Sequence, residues 1–273
     1  MKSDAEVIMG VEFDRAEIKR RCEEYFSIYD ITRERTREMC EAKTIHTNFV
    51  ASNCEDIAIG LGFDRYNIDV AWIIGELHDF GRFGQIVVTQ TFRDSGKWNH
   101  AHLGASLLFK HGLIDDLIPN WDEVCEEDKL VIEKAVYHHS DFHLPDDLTE
   151  RERVFCKLIQ EADQIDIFRT VVENGWETIY GHTKEEILAS DFTDEIVQVF
   201  YRHELADYSK RATYADYHLA HIALCFGMRS QASRRRVVEQ GYLGQMMDIE
   251  FTKPEVEDKF QGIKAEVNQY LGC

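Results

Sequence analysis

The chain has 273 residues and carries 51 acidic against 31 basic side chains, a formal net charge of −20. So acidic a surface repels a phosphate backbone, which argues against bulk nucleic acid as a partner; a bound metal can still reverse the field locally for a small phosphorylated molecule. With 44% hydrophobic and 30% charged residues and no apolar run of about 18 residues, the composition is that of a globular protein without a membrane span.

Only three prolines occur, Pro119, Pro145 and Pro254, and apolar residues recur at helical spacing, which predicts a mostly helical chain. Helices are predicted over 14–28, over 33–59 with a break near Ser52 and Asn53, and over 66–79, after which Gly81 and Gly84 punctuate the chain. The stretch QIVVTQTFRDSGKW, 85–98, reads as a loop with a short extended piece at 86–89. A helix over 99–111 stops at Gly112, and others follow over 126–139 and 149–172. Beyond Gly175 the pattern predicts helices over 184–189, 194–209, 214–226, 230–239 and 254–270. No linker rich in Pro, Gly or Ser, no repeat and no composition break divides the chain, so 1–273 is read as one helical domain. Seven scattered cysteines without a CxxC pair, and an acidic opening stretch unlike a secretory leader, imply reduced thiols and a cytoplasmic protein.

Histidines and aspartates recur on apolar helix faces. Residues three or four apart share a face. His46 falls in a stripe with Met39, Ala42, Phe49 and Val50; His100 shares a face with Gly104, Leu107 and Leu108. Gly104, one turn after His100, lets another backbone approach closely. Val131 and Ala135 lead to His138, Ile132 and Ala135 to His139, and Phe155 and Ile159 to Asp163. A single inward histidine is more often a hydrogen-bonded core residue than a ligand. Asp163 is harder to dismiss, because an unpaired buried carboxylate costs several kcal/mol and Arg169, six residues on, is poorly placed for it. One metal cluster would remove all of these costs, since imidazoles and carboxylates are the ligand set for Zn, Mn, Fe, Co or Ni. The adjacent His78 and Asp79 cannot share a helix face, so they belong at a helix end, where Gly81 fits the termination.

In this order the residues resemble the HD-domain superfamily of metal-dependent phosphohydrolases. The likeness covers about residues 25–175 and rests on HDFGR (78–82), HAHLGASLL (100–108), a helix ending in HH (138, 139) and EADQID (161–166). The stretch TFRD (91–94) and the tail motif TYADYHLA (213–220) are similar to a little-characterised bacterial branch. The resemblance implies an all-α HD-domain helical bundle, with 176–273 adding C-terminal helices. It implies two divalent transition-metal ions (Mn, Fe, Ni, Co or Zn): one held by His46, His78, Asp79 and Asp163, and a second, bridged by Asp79, held by His100 and His138. His102 is the rival of His100. Some branches place a Glu one turn before the first histidine for a third ion; Ala42 stands there instead, with Glu41 one step off the face.

Such an ion pair activates water at neutral pH and neutralises phosphate charge, giving hydrolysis of a nucleotide or other small phosphoester. Arg82 is the candidate phosphate clamp, its planar fork matching phosphate, and the alternative for it is an exposed loop charge. His139 is either a further ligand or a substrate-facing residue; His139 and His102 are candidates for protonating the leaving oxygen, and Arg93 and Asp94 for shaping the mouth of the site. Two other readings stand beside this one: a mixed-valence di-iron oxygenase of the same superfamily, whose members commonly carry Lys where Arg82 stands, and a non-catalytic nucleotide-binding sensor. The partner expected is a small phosphorylated substrate, with neither bulk nucleic acid nor membrane, and a homo-oligomer is compatible with the sequence.

Overall fold

The computed structural model describes residues 11–29, 33–95, 97–205 and 210–272. Among these the regular elements are helical, with one isolated bridge between Ser95 and Trp98, and the all-α expectation holds. No helix among the described residues is long and apolar enough to cross a membrane. The chain divides into two compact units, Met1–Ile159 and Gln160–Cys273.

The first unit holds α1 (Arg15–Ser27), α2 (Glu34–Gly60), α3 (Arg65–Leu77), α4 (Phe80–Thr89), α5 (His100–Ala105), α6 (Leu113–Leu117) and α7 (Glu126–His138); α8 (Glu150–Asn174) starts within it. Asp64 starts α3 by accepting the backbone N–H of Asn67 at 2.9 Å. Every residue of α3 from Asp69 to Leu77 is buried, which makes this helix the centre of the unit. It lies tight against α2 because Gly75 has no side chain: a Cβ there would come within 2.5 Å of the Ala51 Cα.

The 85–89 segment corrects the sequence reading, for it forms the last turns of α4 and not a loop or extended piece. The β-branched run Ile-Val-Val-Thr favours strand locally, but Phe80, Phe83 and Ile86 make a buried helical stripe, and packing overrides propensity. Phe26 of α1 stacks on Phe83 at 3.8 Å between ring centres and Tyr25 on Phe80 at 4.6 Å. The helix closes at Gln90, whose φ of 57° is left-handed. Asn99 caps α5 through the His102 N–H at 2.9 Å; a π-helical turn, Ser106–Lys110, extends it toward Gly112 at φ 76°.

The second unit contains the rest of α8, then α9 (Trp176–Tyr180), α10 (Lys184–Leu188), α11 (Asp194–Tyr201), α12 (Tyr214–Ile222), α13 (Gln231–Gln240), α14 (Tyr242–Met247) and α15 (Pro254–Leu271). The helix expected over 194–209 ends at Tyr201, and His203 at φ 56° turns the chain away; residues 206–209 lie outside the described residues. Asp216 is fully buried and accepts from the N–H groups of Thr193, Ala212 and Thr213 and the Thr193 hydroxyl, tying the start of α12 to that of α11. His218 is a packing residue: it stacks on Trp176 at 4.3 Å between ring centres, with its nitrogens on the Tyr180 hydroxyl and the Met246 carbonyl at 3.1 Å each.

Candidate metal centre

The break between α3 and α4 falls at His78 and Asp79. His78 keeps helical backbone angles, while Asp79 at φ −96°, ψ 18° leaves them and starts α4. Both side chains are buried, and their ends come within 3.5 Å of each other.

Two glycines bring α5 to the same place. A Cβ on Gly81 would run into the His100 carbonyl and the Gly104 backbone, so α4 and α5 cross with their backbones in contact. The close approach read from Gly104 is thus made, and Gly81 is its partner.

The result is two groups of side chains, each with ligand atoms within 4.8 Å of one another: His46, His78 and Asp79, and Asp79, His100 and His139. Asp79 belongs to both. Its Oδ2 lies 3.7 Å from His46 Nε2 and 3.5 Å from His78 Nε2; its Oδ1 lies 3.3 Å from His100 Nε2 and 3.9 Å from His139 Nε2. Burial opposes the ionisation of Asp79, but Lys43, His78 and Arg82 overcome it and hold the carboxyl well below its usual range.

Hydrogen bonds fix the tautomers. His78 Nδ1 donates to the Gly75 carbonyl at 2.6 Å, and His139 Nδ1 to the Val136 carbonyl at 2.8 Å. His100 Nδ1 faces Asp94 Oδ2 at 2.8 Å. A carbonyl or carboxylate only accepts, so each Nδ1 carries the proton and each Nε2 is left as a lone pair pointing inward. His78 Nε2 is buried with no hydrogen-bond partner, and burial pushes the His100 pKa down, keeping that ring neutral. Buried lone pairs around an anionic carboxylate, each ring oriented by a second acceptor, are the donor set a divalent transition metal takes. On these observations the residues fit the metal that the sequence leads one to expect.

The second group contains His139 where the sequence assigned His138. Helix phase explains the difference. Neighbouring residues on a helix point about 100° apart; His139, the C-cap residue just after α7, faces Asp79, while His138 turns to Asp141, Nδ1 to Oδ2 at 2.7 Å. His102, the rival of His100, is exposed and stacks on Tyr137 at 4.0 Å. Asp163 lies on α8 in the second unit and is half-buried.

Arg82 is buried, so the exposed-charge alternative is out. Its Nη1 donates to Gln85 Oε1 at 2.6 Å, to the Phe92 carbonyl at 2.7 Å and to Asp94 Oδ1 at 3.3 Å, and its Nε lies 3.5 Å from Asp79 Oδ1. The guanidinium braces Asp79 against the 92–94 segment, and only what these contacts leave can meet a ligand. Asp94 also accepts from Gln85 Nε2 at 2.8 Å. Burial raises its carboxyl, but His100, Arg82 and Gln85 prevail and bring it to about 2.

Sequence reading missed two residues. Gln85 was hidden by the loop assignment to 85–98; seen as α4, it stands one turn from Arg82. Lys43, whose Nζ sits 2.6 Å from Asp79 Oδ2, lies one turn before His46 on α2, and that spacing was the available signal.

The family model described as HD domain matches residues 44–168. Comparison with curated proteins and with solved structures gave no match. The segment 44–168, which carries the divided carboxylate and its histidines, is an HD domain.

Proposed function

We propose that the protein is a metal-dependent phosphohydrolase that cleaves a nucleotide or another small phosphoester at a dinuclear centre. The observation that carries this reading is the division of Asp79: one oxygen faces His46 and His78, the other His100 and His139. A single carboxylate so placed can bridge two ions. Two such ions supply a water acidified toward neutral pH and positive charge for the phosphoryl oxygens.

The chain's own residues do the rest. Asp79 would be shared between the two ions, with His46 and His78 holding one and His100 and His139 the other. His138, held by Asp141, is left outside both ligand groups. Asp94 orients His100, and Arg82 holds Asp79 and Asp94 in register while adding positive charge next to the phosphate position. With a net charge of −20 on the chain, bound ions would supply the local positive charge that suits an anionic substrate.

The test is to load purified protein with Mn, Fe, Co, Ni or Zn and assay phosphate release from nucleoside mono-, di- and triphosphates, simple phosphomonoesters and a diester. Metal-dependent release that chelator abolishes supports the proposal and separates monoesterase from diesterase. Iron-dependent oxygen uptake without phosphate release would move the assignment to the oxygenase class; ion binding without either points to the nucleotide-binding sensor.

A further inference from the structure

Asp79 Oδ2 has a claimant besides the histidines. Lys43 Nζ lies 2.6 Å from it, closer than His46 Nε2 at 3.7 Å or His78 Nε2 at 3.5 Å. An ion bound by those two histidines would sit about 2.0–2.2 Å from the same oxygen, and an ammonium at hydrogen-bond distance excludes it by contact and by charge. Oδ2 therefore has two mutually exclusive partners.

The other oxygen is different. Its cation is Arg82, at 3.5 Å, and Arg82 is buried and tied to Gln85, the Phe92 carbonyl and Asp94. It stands off from Oδ1 and leaves the His100 and His139 nitrogens facing that oxygen. Lys43 has a flexible four-carbon stem and a side chain 19% exposed, with the Phe92 ring 5.8 Å from its Nζ, so it has somewhere to go.

We propose that Lys43 is an internal counter-cation that occupies the first ion's place on Asp79 and is exchanged for it. Without metal, it keeps the carboxylate compensated. On loading, the His100–His139 side fills first and tightly, and the His46–His78 side fills second and more weakly, because the incoming ion must displace the ammonium. As the ion enters, Lys43 withdraws along Phe92. The inference rests on the dinuclear reading above and adds an order of loading to it.

Titration of the metal-free full-length protein with Mn2+, counting free ion by electron paramagnetic resonance and bound ion by equilibrium dialysis, tests it. The wild type should bind in a tight and a weaker phase. Lys43→Met, which keeps the stem and removes the charge, should tighten the weaker phase by roughly tenfold or more, while Lys43→Arg, which keeps the charge, should leave two separate phases. Circular dichroism melts establish that each variant is folded. Two phases in the wild type that a folded Lys43→Met leaves unchanged would overturn the exchange and spare the metal centre. A wild type that binds no Mn2+, Fe2+, Co2+, Ni2+ or Zn2+ overturns both.

Discussion

His100 and His139 face each other Nε2 to Nε2 at 2.9 Å, although the Nδ1 of each ring already donates elsewhere, His100 to Asp94 and His139 to the Val136 carbonyl. Two lone pairs at that distance repel. Either one ring takes a second proton, which the burial of His100 opposes, or a cation sits where both nitrogens reach it. The pair is therefore more informative than either histidine alone, and it separates His139 from its neighbour. His139→Gln should lower the bound metal by about one ion per chain, whereas His138→Gln, whose ring is held by Asp141, should keep the full complement. Metal analysis of the two variants beside the wild type decides it; equal loss in both would mean that helix phase has been misjudged.

Asp94 acts on the centre through His100. Its carboxylate fixes the ring's tautomer and ties it to Arg82 and Gln85. Asp94→Ala is expected to weaken the His100–His139 ion about 10–100-fold, the usual cost of losing a carboxylate behind a ligating histidine, with little change in the melting temperature of the metal-free protein. Competition with a chromogenic chelator measures the shift.

The crossing of α4 and α5 depends on two missing side chains. Gly81→Ala places a methyl group on the backbone of His100 and Gly104, and should cost about 1–3 kcal/mol while pushing His100 away from Asp79. Gly84→Ala, in the same helix, meets nothing closer than 3.6 Å and should stabilise by up to about 1 kcal/mol through helix propensity. Denaturant unfolding of the pair separates a steric requirement from a general preference for glycine in α4.

The contrast also shows what the sequence made legible. Periodicity located most helices of the first unit, and two polar residues interrupting apolar stripes, His46 and His100, marked where to look. The break at His78 and Asp79 followed from the impossibility of two neighbours sharing a face. Periodicity failed where its evidence was thin: at the end of α7 it admitted both His138 and His139, because each could be reached from Ala135. At 85–89, local β-branching outweighed a stripe of only three residues, and Gln85 was lost with the helix. Lys43 was missed because a basic residue on a helix face reads as solvated; only the three-dimensional position of Asp79 gives it a task.

Acid should weaken the second unit through His218. Burial is the main cause that lowers its pKa from 6.5 to about 3, with His221 and Lys184 adding to the effect and the Met246 carbonyl opposing it. In the unfolded chain the ring titrates near 6.5. Below that value the unfolded state takes up a proton that the folded state refuses, so stability is complete above pH 6.5 and is lost as pH falls toward 3. Between pH 6.5 and 4.5 this amounts to about 2–3 kcal/mol. His218→Gln should be less stable than the wild type at pH 7, with the gap shrinking by about that amount at pH 4.5. Denaturant melts at both pH values check the sign; a gap that widens in acid contradicts it.

Asp79 must serve two ions for the centre to be dinuclear. Elemental analysis of protein purified without chelators, read per chain and repeated on Asp79→Ala, examines that most directly. The predicted result is about two ions of Mn, Fe, Ni, Co or Zn in the wild type and none in the variant. Fewer than one ion in the wild type, unrestored by adding these metals, or a variant that keeps both, would contradict it.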